Sequence, residues 1–92
     1  PCRSIVLIEA QGDYTRLEIA DGKAPLQPRA LAEWERALPK ALFLRVHRGY
    51  LVNRNRIQAL DTMAGGRWAL RLAGRAEPVP VGRQFRAAVR TS

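Results

Sequence analysis

FLRVHRGYLVNRNRI, running from Phe43 to Ile57, combines a β-forming apolar pattern with five cationic or imidazole side chains and no acid. Phe43, Leu44, Val46, Tyr50, Leu51 and Val52 are the aromatic, β-branched and aliphatic residues that suit a pleated, half-buried surface, so the stretch reads as an extended β element. Packing sets the apolar positions but does not require the others to be Arg45, His47, Arg48, Arg54 and Arg56. A surface of one sign implies that it meets a polyanion.

Working toward the N-terminus, Ile5 to Ala10 is an apolar run that reads as a buried strand, and Gln11-Gly12-Asp13 signals a turn. Tyr14 to Ile19 alternates, with Thr15, Leu17 and Ile19 on one face and Tyr14, Arg16 and Glu18 on the other. Asp21-Gly22 is a hairpin signal, so the first third reads as a β-meander. Leu31, Trp34 and Leu38 then repeat at helical spacing, and Glu33, Glu35 and Arg36 take the outer positions. Pro28 suits the start of this helix and Pro39 its end, which gives one helix of about three turns near residues 29–38. Its outward acids make it a poor candidate for a DNA groove, and no second periodic helix follows, so a helix-turn-helix is excluded.

Toward the C-terminus, Ile57 to Leu60 is a strand, Gly65-Gly66 a turn, and Trp68 to Leu72 an alternating strand. Pro78-Val79-Pro80-Val81 marks a sheet edge. Phe85 and Val89, with Arg83, Arg86 and Arg90 around them, suit a C-terminal helical turn with its apolar side inward. The fold class is therefore mainly β, an elongated arrangement of short antiparallel sheets with one short helix. Trp34, Phe43, Tyr50 and Trp68 sit in apolar-periodic contexts and read as core residues, not as stacking platforms for bases.

The 92 residues make one domain, and an apolar share of 47% argues against disorder. The net charge is +8 with a pI near 11.3. Fourteen of the sixteen cations are Arg, whose planar fork binds phosphate or guanine through two hydrogen bonds. A high-GC genome also enriches Arg over Lys, but it does not account for the positive excess. That excess calls for a nucleic acid, an anionic surface or an acidic protein as partner. Cys2 is the only cysteine and His47 the only histidine, so the sequence offers neither a disulfide framework nor a metal set, and no cofactor is expected. The acids are few and scattered, without a catalytic constellation, so an enzyme is not expected. No apolar run approaches the roughly 20 residues that span a bilayer, so no membrane contact by this domain is expected. A chain that starts at Pro1 reads as a piece of a longer protein.

The order of segments resembles the LytTR family of bacterial DNA-binding domains. Ile8 to Thr15 is similar to the family's IEA.GDYT opening, and Leu31 to Pro39 to its short helix. Phe43 to Asn53 is similar to its F.RVHRSYLVN signature, and Pro80-Val81-Gly82-Arg83 to its PVSR. Gly49 and Gly82 stand where the family usually has Ser, which removes two hydroxyls while leaving the backbone amides. The resemblance covers essentially the whole chain, 1–92, and implies the output domain of a transcriptional regulator in the cytoplasm. It also implies an N-terminal receiver domain in cis and duplex DNA with repeated sites as the partner, on which the domains pair. Base contacts from three loops would fall on Thr15 or Arg16, on Arg48 and on Arg83.

Each of these residues has a plainer reading as well. Arg48 and Arg83 are solvated surface cations unless a ligand meets them. Thr15 faces the core if the alternation holds, which leaves Arg16 outward. Tyr14 covers the sheet or donates to phosphate. His47 is a hydrogen-bonded residue beside the DNA face. Asn53 holds an Asx turn or supports the interface. Arg54, Arg56 and Arg86 are phosphate candidates, which position a protein on DNA without reading sequence. The competing function is an RNA-binding or ribosome-associated basic β domain, which the charge permits equally well.

Overall fold

The computed structural model describes residues 2–91. Strand β1 (Ile5–Gln11) is apolar at four consecutive positions, Ile5 to Ile8, and all four are buried. A strand with one solvated face alternates; a continuous run means that both faces are covered, and they are. β1 is the middle strand of a five-stranded antiparallel sheet that also contains β2 (Tyr14–Ile19), β3 (Leu26–Gln27), β4 (Phe43–His47) and β5 (Tyr50–Asn53), in the order β3-β2-β1-β5-β4. On one face Ile5, Ile8, Leu17, Phe43 and Leu51 pack against Leu31 of helix α1 (Leu31–Ala37), with Trp34 and Leu38 alongside. On the other face Val6, Leu7, Leu44, Val46 and Val52 meet Leu70, Leu72, Val79 and Val81 of a second sheet and Val89 of helix α2 (Arg86–Arg90). The second sheet is β6 (Ile57–Thr62), β7 (Trp68–Leu72) and β8 (Val79–Val81), in that order. The layers are helix, sheet, sheet, and the molecule measures 34 × 24 × 24 Å, longer in one direction as expected.

The expected β-meander is present, and it includes a two-residue third strand, β3, with no alternation pattern of its own. Pro25 and Pro28 bracket β3 and lack the N–H that a longer ladder needs. Helix α1 is shorter than the expected 29–38. Ala30 is its extended N-cap, and Leu38 is extended at φ −88°, ψ 151°. A residue preceding proline is pushed out of the helical region, so Pro39 ends the helix one residue early. Pro28 lies in the approach to the helix, not in its first turn. The Phe43–Ile57 stretch is folded in two. β4 and β5 pair antiparallel about an Arg48-Gly49 turn, and a 3-10 turn at Arg54–Arg56 leads into β6. β8 is an edge strand with Pro80 exposed, and Val89 is buried at the C-terminal helix, both as expected.

Two polar side chains, Thr15 and Asn53, are buried in this frame, and each has a DNA-face reading and a plainer structural one in the sequence. Thr15 is 1% exposed, and its Oγ1 accepts a 2.8 Å hydrogen bond from Trp34 Nε1 of α1. The alternation of β2 turns it inward beside Leu17, so it cannot reach a base, and the base-contact assignment for Thr15 is corrected. Asn53 is 2% exposed; its Nδ2 donates to the Ile5 carbonyl at 3.0 Å and its Oδ1 accepts from Asn55 N–H at 3.0 Å. Asn53 therefore ties β5 to the start of β1 and holds the following turn, as the Asx-turn reading expects; the alternative of a supporting group on the DNA face is corrected, because the side chain is buried. Asn53→Ala is expected to cost about 1–3 kcal/mol of folding stability, because it leaves a buried carbonyl and an amide unpaired. Urea unfolding measures that loss; a change below about 0.5 kcal/mol would contradict it.

Candidate nucleic-acid interface

Three turns meet at one end of the two sheets. The first is Gly12-Asp13 between β1 and β2, closed by the Gln11–Tyr14 pair. Gly12 has φ +60°, a left-handed conformation that favours glycine. The second is Arg48-Gly49 between β4 and β5. The third is Gly82-Arg83, which leaves β8 for a 3-10 turn at Arg83–Phe85. Two backbone hydrogen bonds stitch them together: Ala10 N–H donates to the Gly49 carbonyl at 2.9 Å, and Gly82 N–H donates to the Val46 carbonyl at 2.8 Å. A Cβ at Gly82 would lie 3.0 Å from the Phe85 ring and 3.7 Å from His47 Cα, so any side chain would crowd the ring. At Gly49, by contrast, a Cβ would meet only the His47 ring, at an ordinary 3.5 Å.

Arg48 and Arg83 are both exposed on this end, and among the described residues neither is ion-paired. Arg48 and Arg83 lie 35 residues apart in the chain, and the fold brings their loops into contact. Tyr14, 50% exposed at the first turn, shares the same end. Arg16 sits on the β2 face opposite Thr15, but it is engaged: its Nη1 lies 3.1 Å from Glu18 and 3.6 Å from Glu9. Glu9 also accepts from the Tyr50 hydroxyl at 3.0 Å, and Glu18 from Arg75 Nε at 3.2 Å. Burial and the bond to Glu9 push the Tyr50 phenol above its usual range, so it stays a neutral donor. Arg16 therefore belongs to a network that joins the two sheets, and it reaches a ligand only by leaving two carboxylates.

The remaining arginines are not gathered here. Four-residue β5 carries the chain roughly 13 Å from the Arg48 turn before Arg54 and Arg56. Arg54 Nε donates to the Lys40 carbonyl at 3.0 Å, and the Arg56 guanidinium lies against Gly74. Arg86 stacks over Trp68 at 4.6 Å and donates to the Gly66 carbonyl at 2.7 Å, while its Nε is buried without a hydrogen-bond partner. It braces the β6–β7 loop. Trp68 is partly buried, packed against the core cluster between the sheets with Arg86 and Arg90 over its ring. Phe43 is buried as expected, whereas Trp34 and Tyr50 are partly buried at the margins of the core.

His47 supports the second turn from within. Its Nδ1 accepts from Gly49 N–H at 3.0 Å, and its ring meets Tyr50 edge-on at 5.5 Å. An accepting Nδ1 requires an imidazole unprotonated at that atom. Desolvation first, then the charges of Arg48 and Arg45, hold the ring below its ordinary 6.5. The unfolded chain thus takes up this proton before the folded one as pH falls. The stability contributed by neutral His47 is complete above pH 6.5 and is lost as pH drops from there toward the depressed folded value. Urea unfolding at about pH 7.5 and about pH 5.5 is expected to show a larger loss in the wild type than in His47→Gln. Equal losses would remove His47 from the turn's support.

One residue of this end was missed. Arg45, one of the cations in the opening stretch, had no assigned role. It is 18% exposed at the side chain and holds Glu35 of α1 at 2.7 Å. Its other nitrogens donate to the His47 carbonyl at 2.8 Å and the Arg48 carbonyl at 2.6 Å. The only sequence signal was its position two residues before His47, on a strand otherwise apolar at Phe43, Leu44 and Val46.

The comparisons agree with this architecture. The family described as the LytTr DNA-binding domain matches residues 1–92. The chain is 38% identical over 79 residues to the CO-responsive transcriptional regulator RcoM of Rhodospirillum rubrum, covering 86% of this chain and 33% of that protein. It therefore spans about a third of the length of that relative. A solved LytTr DNA-binding domain of a methyl-accepting/DNA response regulator from Bacillus cereus superposes with a TM-score of 0.87 at 27% identity, over 99% of this chain and 82% of that one. From whole-length family match, fold and a relative above a third identical, the chain belongs to the LytTR family of DNA-binding domains.

Proposed function

We propose that this DNA-binding domain reads duplex sequence with Arg48 and Arg83, each presenting a guanidinium fork to base edges in the major groove, as the output module of a bacterial transcriptional regulator. The observation that carries this is the pair of exposed arginines, neither ion-paired among the described residues, on two loops joined by Gly82 N–H to the Val46 carbonyl. An Arg fork matches guanine O6 and N7 bidentately, and two such forks on one end suit two readings along a duplex. Tyr14 and His47 flank them and serve phosphate or support. Arg54 and Arg56 stand apart at the other end of β5 and serve at most outlying phosphates. The output role draws on the regulators that the chain resembles. A cytoplasmic location, repeated sites bound by paired domains and a regulatory domain in cis belong to the same reading.

RNA binding is the weaker reading. It calls for aromatic platforms on an open sheet face, yet Tyr14 is the only exposed large aromatic among the described residues, and Trp68 lies under two arginines. Selecting bound duplexes from a random pool, followed by footprinting and competition with single-stranded RNA, tests the proposal. A recovered motif with protection repeated along the site supports it. Unenriched pools, or RNA displacing the duplex at equal concentration, refute it.

A further inference from the structure

Arg45 makes three charge-assisted contacts that no other cation of this end makes. Nη1 holds Glu35 of α1 at 2.7 Å, Nε donates to the His47 carbonyl at 2.8 Å and Nη2 to the Arg48 carbonyl at 2.6 Å. The two carbonyls belong to the peptide units on either side of the Arg48 Cα, so the fork fixes the direction in which the Arg48 side chain leaves the backbone. The β4–β5 register also shifts between Arg45 and His47. His47 still pairs with Tyr50 across the turn, and the Arg45 guanidinium braces the turn further through the His47 and Arg48 carbonyls. Its anchor is on another element: α1 packs against the face of the sheet opposite the second sheet, and Glu35 reaches round to β4. Arg45 is itself only 18% exposed at the side chain and ion-paired, which makes it a poor direct phosphate ligand.

We propose that Arg45, anchored by Glu35, is a positioning residue that sets the base specificity of the Arg48 turn without itself touching DNA. The inference rests on the reading of Arg48 as a base contact. Specificity is the sensitive quantity, because a bidentate contact depends on direction, while a loose phosphate contact tolerates a swinging side chain. Lys keeps the charge but has one nitrogen where Arg has three, so it cannot bridge a carboxylate and two carbonyls in this geometry.

The experiment compares Arg45→Lys, Arg48→Ala and the double variant on the selected duplex and on a scrambled duplex across a salt series. Arg45→Lys is expected to weaken the selected duplex about tenfold and to leave the scrambled duplex within about twofold, with the salt slope unchanged. In the Arg48→Ala background the same change is expected to cost less than about twofold, because the two act as one unit. Equal losses on both duplexes, a reduced salt slope, or full additivity with Arg48→Ala would overturn the proposal. Should Arg45→Lys not fold, Glu35→Gln carries the test from the exposed side of α1. It removes the anchor only and is expected to give a smaller loss confined to the selected duplex; no loss of discrimination overturns the proposal. If Arg48→Ala itself leaves discrimination intact, the base-contact reading fails first, and that result is distinguishable from a failure at Arg45 alone.

Discussion

Arg48→Ala is expected to weaken binding to the selected duplex by about 1–3 kcal/mol, and Arg83→Ala by a similar amount, with base preference relaxed at the position each side chain reads. Both side chains are exposed on loops and, among the described residues, neither is ion-paired, so truncating either leaves no buried partner stranded and should leave the fold unchanged. The loss is therefore a binding loss. On a scrambled duplex each variant forfeits only one cation's share of counterion release, so the gap between the two duplexes narrows. Anisotropy titrations over a range of salt separate these cases. Equal losses on both duplexes would reassign the two arginines to phosphate.

Leu7→Ala is expected to destabilise the domain by about 2–5 kcal/mol, the cost of lost burial plus a cavity that neighbours fill only in part. Leu7 is fully buried between the two sheets, in the cluster with Val46, Val52, Leu70, Leu72 and Val79. Against a total of about 5–15 kcal/mol for a small domain, that loss brings the protein close to unfolding. The same cluster contains Val46, whose carbonyl accepts from Gly82, so the core also sets the spacing between the Arg48 and Arg83 loops. Leu26→Ala is the control: Leu26 is 54% exposed on β3, and its truncation is expected to stay within about 0.5 kcal/mol. Urea denaturation measures both, and similar midpoints for the two variants would contradict the two-sheet core.

The sequence pattern was legible where a local rule applies. The unbroken apolar run Ile5 to Ile8 marked a strand covered on both faces, and Leu31, Trp34 and Leu38 marked the helix. The alternation of β2 already turned Thr15 inward; the family resemblance drew it toward the DNA, and the buried bond from Trp34 decides for the alternation. What stayed hidden depends on partners distant in the chain. Arg16 looks free until the β1–β2 register sets it opposite Glu9. Asn53 looks like a local turn residue until its amide meets the Ile5 carbonyl, 48 residues away. Arg86 is at helical spacing from Arg83 and Arg90, yet its direction is set by Trp68 of β7 and the Gly66 carbonyl in the β6–β7 loop. The two glycines at positions where the family usually has Ser look alike in sequence but differ in the fold. A side chain has room at position 49 and is crowded by Phe85 at position 82.

The central claim is that the turns at Gly12-Asp13, Arg48-Gly49 and Gly82-Arg83 form one DNA-facing end. Amide chemical shifts recorded while the selected duplex is titrated into the isotope-labelled domain test it most directly. The account predicts that the largest perturbations fall on residues 11–14, 47–49 and 82–84, with Asn55 and Gln58 at the far end of β5 little changed. Perturbations centred on 54–58, or on the outer face of α1, with the three turns unaffected, would contradict it.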